Sequence, residues 1–292
     1  MAAGQAMDRT IRTRDGLDLH RRNWPSGGAR GTIVIVHGLG EHIGRYARVA
    51  ERLNASGWSV VGYDQRGHGA SPGERGRLAA SDDFLADLAA LLDDVRRDPE
   101  GPLVVLGHSL GGLVAARFVA GGLETPQPRW QRDVDALVLS SPALDVGLSA
   151  IQRGLLATLG AAAPNLGVGT GLSPAGLCRD PKVVAAYRAD PLVHDRIAPR
   201  LARFLADAGP EVLALAPRWR VPTLLLYAGA DRLVVPAGSA AFARVAPRDV
   251  VTVREYPTLF HEIFNEPERE EVLSALADWL DTLTVSPTRS PR

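Results

Sequence analysis

Three side chains of this 292-residue chain, Ser109, Asp231 and His261, could together perform nucleophilic chemistry. A serine hydroxyl attacks a carbonyl only when a base takes its proton, and the imidazole that does so needs an acid to fix its tautomer and orientation. Ser109 sits in Gly107-His-Ser-Leu-Gly111, a G-x-S-x-G pentapeptide between an apolar run at 103–106 and another at 113–119. That context is a buried strand, a sharp turn and a helix, with the hydroxyl lifted to the carboxyl edge of a sheet and the positive end of the helix beneath it. Glycines two residues before and after leave room for strand and helix to approach without Cβ contacts. Of seven histidines, only His194 and His261 follow Ser109. His261 lies in a loop between a strand-like run at 250–256 and the last helical run, and is preferred as base; His194 falls where no strand anchors it. Asp231 follows a strand-like run at 223–227 and is preferred as acid, with Asp145 the runner-up. The charge that develops on the attacked carbonyl needs two backbone donors, one from the residue after the nucleophile and one from a loop after an early central strand. Leu110 supplies the first and Leu39, in His37-Gly-Leu-Gly40, the second.

These residues need a sheet whose strand ends meet. Runs at 10–14 and 17–24 flank Asp15-Gly16, a hairpin signal. Thr32-Ile-Val-Ile-Val36 and the run at 58–63 are continuous and apolar, as strands buried on both faces must be. Helices are expected at 46–55, at 82–97 with Ser81 as cap and Pro99 beyond its end, near 239–245 and at 268–283, and a further strand at 134–139. Alternating strands and helices give an α/β class with a mostly parallel sheet flanked by helices, where ligands gather at the carboxyl ends of strands. Residues 145–217 break the alternation with helical patterns only, so they are expected as an insertion after the sixth strand, over the sheet's top edge. The organisation is then an N-terminal tail at 1–9, a core at 10–144, the insertion at 145–217, the rest of the core at 218–284, and a disordered tail at 285–292. Leu148, Ile151, Leu155 and Leu159 form an apolar stripe in the insertion that packs on the body or, alternatively, faces a lipid surface.

Composition excludes several classes. A chain that is 46% hydrophobic and 23% charged has enough apolar residues for one large core. Its formal charge is zero, which offers nothing to nucleic acid. A single cysteine, Cys178, forms no internal disulfide and no cysteine-based zinc site. No apolar run reaches the length of a membrane span and no secretory leader is apparent, so a cytoplasmic protein is the default expectation. Gly38-Leu-Gly40 followed by Asp64 superficially suggests dinucleotide binding, but the third glycine position of that fingerprint is Ile43. His37, His42 and His68 lack paired metal-ligand spacing and read as turn residues, so neither cofactor nor metal is expected.

His37-Gly-Leu-Gly-Glu-His-Ile-Gly-Arg-Tyr46, Asp64-Gln-Arg-Gly-His-Gly-Ala-Ser71, Gly107-His-Ser-Leu-Gly-Gly112, Arg179-Asp-Pro-Lys182 through Asp190-Pro-Leu192, and Gly229-Ala-Asp-Arg232 together resemble the monoacylglycerol lipases and their lysophospholipase-like relatives. The resemblance spans about residues 10–283 and includes the insertion. It implies an α/β-hydrolase fold, Ser109, Asp231 and His261 as nucleophile, acid and base, Leu39 and Leu110 as oxyanion donors, and an apolar acyl tunnel under a helical cap. It also implies head-group contacts at Arg45 and Tyr187, beside the plainer readings that Arg45 pairs with Glu41 and Tyr187 packs the cap. The expected function is hydrolysis of monoacylglycerol to glycerol and fatty acid without a cofactor, with a peripheral membrane contact through the cap as the alternative to a cap that only packs on the body. The alternatives are a lysophospholipase or broad carboxylesterase using the same residues, and a non-catalytic binding protein on the same scaffold.

Overall fold

The computed structural model of the chain describes residues 6–97, 101–149, 152, 154, 156, 158, 163 and 166–283. The first half runs β1 (Met7–Arg12), β2 (Asp18–Trp24), β3 (Thr32–Val36), α1 (Ala47–Ala55), β4 (Ser59–Tyr63), α2 (Asp83–Val95), β5 (Leu103–His108), α3 (Leu110–Gly121) and β6 (Ala136–Ser140). It continues through β7 (Val168–Gly169), α4 (Pro181–Ala189), β8 (Arg196–Ile197), α5 (Pro199–Leu215), β9 (Thr223–Ala228), α6 (Pro236–Val245), β10 (Val251–Tyr256) and α7 (Arg269–Thr282). Eight strands join in the order β1-β2-β4-β3-β5-β6-β9-β10. From β4 to β10 every pairing is parallel, and only β2 runs against the rest of the sheet, pairing antiparallel with both β1 and β4.

The two-residue side-chain period divides each central strand between two cores. Val34, Val36, Val105, Leu137, Leu139 and Leu225 face a layer built on α2, α3 and α5. Ile33, Ile35, Val104, Leu106, Val138 and Leu224 face α1 and α7 on the opposite side. Every residue of β3, β4, β5, β6 and β9 is buried, which is why their sequences read as unbroken apolar runs.

Some local expectations are corrected. Strand β1 begins at Met7, which pairs with Asn23, so the hairpin extends into the stretch read as a tail. Its connection occupies residues 13–17 and not Asp15-Gly16 alone; Thr13 N–H donates to Leu17 O, and Leu17 N–H donates to Thr13 Oγ1. Ser81 does not cap α2. Asp83 Oδ2, inside the first turn, accepts instead from the N–H groups of Ala79 and Ala80. Residues 145–217 hold a small antiparallel ribbon, Val168 opposite Ile197 and Gly169 opposite Arg196, which two-residue strands are too short to announce by periodicity. Helix α5 passes straight through Gly209 and Pro210, and a Cβ on Gly209 would lie 2.1 Å from Leu144 O, so that glycine permits close docking on the body. Of the apolar stripe, Leu148 lines a cavity described below, while Ile151, Leu155 and Leu159 lie outside the described residues, as do Pro99 and the tail at 285–292.

Candidate active site

Strand β5 hands over to α3 through Ser109 alone. Its backbone stands at φ 54°, ψ −120°, a region few side chains occupy and one that persists only where surrounding structure enforces it. The enforcement comes from both flanking glycines. A Cβ on Gly107 would lie 2.4 Å from Gly111 O, and one on Gly111 would lie 2.1 Å from Val36 O. Ser109 N–H donates to Ser140 O at 3.0 Å, and Ser109 O accepts from Ala143 N–H at 3.0 Å, so strand β6 and the turn after it brace the bend.

Beyond β10, His261 meets the loop after β9. His261 Nδ1 and Asp231 Oδ2 are 2.7 Å apart, and both side chains are almost wholly buried. Burial alone would raise the Asp231 carboxyl, but the His261 contact and the N–H groups of Leu233 and Val234 outweigh it and hold the group below its usual value. An ionised carboxylate only accepts, so Nδ1 of His261 carries the proton and Nε2 is left as a base. Ser109 and His261 both line one cavity of about 490 Å³. Among the described residues no hydrogen bond joins the Ser109 hydroxyl to His261, a contact that commonly tightens only around substrate.

The loop after β3 is fixed on both sides of Leu39. Gly38 N–H donates to Glu41 Oε1 at 2.6 Å, and Gly40 O, on a residue at φ +76°, accepts from His194 N–H at 2.9 Å. Between them the Leu39 N–H makes no hydrogen bond among the described residues. Leu110 opens α3, so its N–H has no acceptor within the helix. Both N–H groups belong to residues lining the cavity with Ser109.

Most of the cavity's lining is apolar, with Leu148, Leu172, Leu177, Ile197, Leu205 and Val234 among the contributors. Arg45 and Tyr187 also line it. The guanidinium of Arg45, however, is committed to carboxylates, at 2.6 Å from Glu41 and at 2.6 and 2.7 Å from Glu262, with its face 4.8 Å from the Tyr187 ring. Three further histidines, His37, His42 and His68, make contacts within the loops and the segment above them. His37 Nε2 accepts from Gln65 N–H, His42 Nε2 meets Asp190 at 2.9 Å, and His68 lies between His37 and His194 with ring centroids 5.3 and 4.6 Å away. Burial and the neighbouring His261 push His108 down to about 4, keeping it neutral beside the site. Burial raises the Cys178 thiol to about 11, and Sγ donates to Asn265 O, so it is an inert packing residue.

Residues 27–268 match the profile of the family described as "Serine aminopeptidase, S33". A monoacylglycerol lipase of Mycolicibacterium smegmatis is 38% identical over 88% of this chain and 90% of its own length. The chain belongs to this family of α/β-hydrolases. Phospholipase YtpA of Bacillus subtilis is similar as well, 32% identical over 88% of this chain and 98% of its own. The crystal structure of a Paleococcus ferrophilus monoacylglycerol lipase superposes with a TM-score of 0.82 and 33% identity, covering 91% of this chain and 99% of that one.

Within this α/β-hydrolase the structure brings Ser109, Leu39, Leu110 and His261 to one cavity and binds Asp231 to His261. His194, the weaker candidate base, lies in the segment between β6 and β9 and lines the same cavity, but its Nδ1 accepts from Arg196 N–H and no carboxylate is bonded to it among the described residues. Asp145 accepts from Gly147 N–H in the turn after β6 and is not bonded to a histidine among the described residues. Sequence reasoning missed Glu262 and the extent of Glu41's involvement. The only available signal was adjacency, since Glu262 follows the candidate base and Glu41 lies within one turn of Arg45.

Proposed function

We propose that this serine hydrolase cleaves monoacylglycerols to glycerol and free fatty acid. The reading is carried by one observation: an Asp231–His261 pair, its Nε2 without a hydrogen bond among the described residues, shares an apolar-walled cavity with a serine held on a left-handed bend. In the proposed cycle, Ser109 Oγ attacks the ester carbonyl as His261 Nε2 takes its proton, and the carbonyl oxygen becomes an oxyanion facing Leu39 N–H and Leu110 N–H. The C–O bond to glycerol then breaks, and the imidazolium returns the proton to the departing alkoxide, leaving an acyl-serine. Water repeats the attack, giving its proton to His261, and the fatty acid leaves as Ser109 recovers its own. Asp231 orients the ring throughout and stabilises the transient imidazolium without itself being protonated.

The substrate follows from the cavity and the relatives. An apolar lining of this volume suits an aliphatic acyl chain, and the similarity to enzymes named monoacylglycerol lipase favours glycerol as the alcohol. A second reading, a lysophospholipase, is favoured by the phospholipase among the relatives. We take residues 145–217 as a cap over the site. Leu166, Val168 and Leu172, which it leaves 60%, 49% and 48% exposed, support a contact between this cap and a lipid surface. Among the described residues no helix is long and apolar enough to cross a membrane.

One release assay separates these readings. Monoacylglycerol should be cleaved faster than diacylglycerol or lysophosphatidylcholine of the same acyl chain, and all release should vanish in Ser109→Ala. Preference for lysophosphatidylcholine would replace the monoacylglycerol assignment with the second reading.

A further inference from the structure

Glu41 is a buried carboxylate that the hydrolytic cycle does not use, and it carries three hydrogen bonds. Its Oε1 accepts from Gly38 N–H at 2.6 Å and from the Tyr46 hydroxyl at 2.7 Å, while Oε2 accepts from Arg45 Nη1 at 2.6 Å. Arg45 in turn grips Glu262 with two hydrogen bonds, and Glu262 follows His261 in the chain. Asn265 Nδ2 donates to Glu262 Oε2, and Glu262 N–H donates to Leu177 O, so that carboxylate is itself fixed.

An ion cluster so deeply buried is a poor device for stability. Desolvating charges is costly, and apolar residues of similar volume commonly serve as well. The charge is nonetheless retained: burial opposes ionisation of Glu41, but the Arg45 charge, His108, His37 and the Tyr46 hydroxyl together outweigh it and hold the carboxyl at about 2. What the cluster does is local and geometric. The Leu39 N–H shares its rigid peptide plane with Gly38 O, which meets His37 Nδ1 at 2.8 Å; with the planes on either side anchored at the Gly38 N–H by Glu41 and at the Gly40 carbonyl by His194, the loop has little freedom to turn that N–H away. The Gly38 end is pressed close to the nucleophile, since a Cβ there would lie 2.9 Å from Glu41 Oε1 and 3.2 Å from Ser109 Cβ.

We infer that Glu41 is a positioning residue for the reaction, holding the loop so that the Leu39 N–H points at the developing oxyanion, with Arg45 tying that loop to the segment that carries His261. This rests on the serine-hydrolase reading above. It touches no reacting atom and acts through the backbone. The essential feature is then an acceptor oxygen at the Oε1 position and not the charge.

The test uses the full-length protein, a water-soluble acyl ester and an acyl trifluoromethyl ketone, which adds Ser109 to give a tetrahedral oxyanion. Wild-type turnover that is lost in Ser109→Ala establishes the underlying reading; its absence would remove that reading and, with it, this one. Given turnover, Glu41→Ala should lower kcat by on the order of 10²-fold with KM changed far less, because a displaced oxyanion donor acts on the transition state. Affinity for the trifluoromethyl ketone should fall by a similar factor. Glu41→Gln, which keeps an acceptor oxygen at full reach, should recover to within about tenfold of wild type, a donor bond kept without its charge. Glu41→Asp, which keeps the charge but withdraws the oxygen, should resemble the alanine variant. If Glu41→Ala does not fold, the Gln and Asp variants decide the matter alone. A Glu41→Asp protein equal to wild type, a Gln variant worse than the Asp variant, or losses confined to KM with ketone affinity unchanged would overturn the inference.

Discussion

The carboxyl edge of the sheet and the segment laid over it are built on opposite terms. At the edge, the groups near the reaction are buried and bonded: Asp231 to His261 and to two backbone N–H groups, Glu41 to a backbone N–H, a tyrosine and an arginine. In the overlying segment, α5 packs Leu201, Phe204 and Val212 into the core, but the part before it is different: helix α4 buries none of its residues, and the ribbon strand β7 is exposed along its length. The overlying segment is nevertheless pinned to the edge at a few points, His194 N–H to Gly40 O, His42 to Asp190 and Glu262 N–H to Leu177 O. The difference assigns the two regions their tasks. Chemistry needs atoms fixed to a fraction of an ångström, whereas admission of a long flexible substrate needs a wall that can yield.

If that division is right, small changes at the edge should cost far more than larger ones above it. Asp231→Asn keeps the size of the side chain but favours the wrong imidazole tautomer, and should lower kcat by about 10⁴-fold. Circular dichroism should be unchanged while ester turnover collapses. An Asn variant within tenfold of wild type would erase the distinction, for a buried, fully bonded group at the edge would then be dispensable.

The second effect is on stability. Burial pushes His108 and His194 down to about 4, and drives His68 well below its ordinary value. An unfolded chain protonates its histidines near about 6.5, so between about 6.5 and about 4 these rings, and the lowered His37, bind more protons unfolded than folded, outnumbering the opposite contributions of Asp87, raised by burial to about 6, and of His20, raised by Asp64. Stability must therefore rise with pH through that window and be lost as pH falls through it. Thermal melts should show Tm declining steadily from pH 7 to pH 4.5. A flat profile would mean that these rings meet water or charge more freely than their packing indicates.

The smallest effect belongs to the overlying segment. Leu172 lines the cavity yet is largely exposed, so Leu172→Ser should change stability by no more than about 0.5 kcal/mol. The same change should lower kcat/KM for long-chain esters more than for short ones, which a series of acyl chain lengths would measure. Equal losses for every chain length would assign Leu172 to the chemistry and not to the wall.

How far each region is legible in sequence follows the same line. Buried parallel strands must be apolar throughout, so β3, β4, β5 and β9 stand out, and the residues directly beyond their ends fall where the chemistry must be. Ser109 is further marked by glycines whose absence of a Cβ is a steric requirement. Glu262 has no such mark, because its partner Arg45 is distant in the chain and only the fold brings them together. The segment at 145–217 is harder still. Its ribbon is too short for a period, and α5 continues through Gly209 and Pro210, residue types that usually interrupt a helix. Ser81 is not the cap because the helix begins at Asp83, which puts Asp82 in the N-cap position, a one-residue shift that the sequence pattern does not resolve.

The central claim is that the Ser109 hydroxyl, activated by His261, is the nucleophile, and covalent capture tests it most directly. A fluorophosphonate should label the wild-type protein rapidly and stoichiometrically, peptide mapping should place the adduct on Ser109, and the label should be absent from Ser109→Ala and greatly slowed in His261→Ala. Labelling at another residue, or undiminished labelling in either variant, would contradict the account.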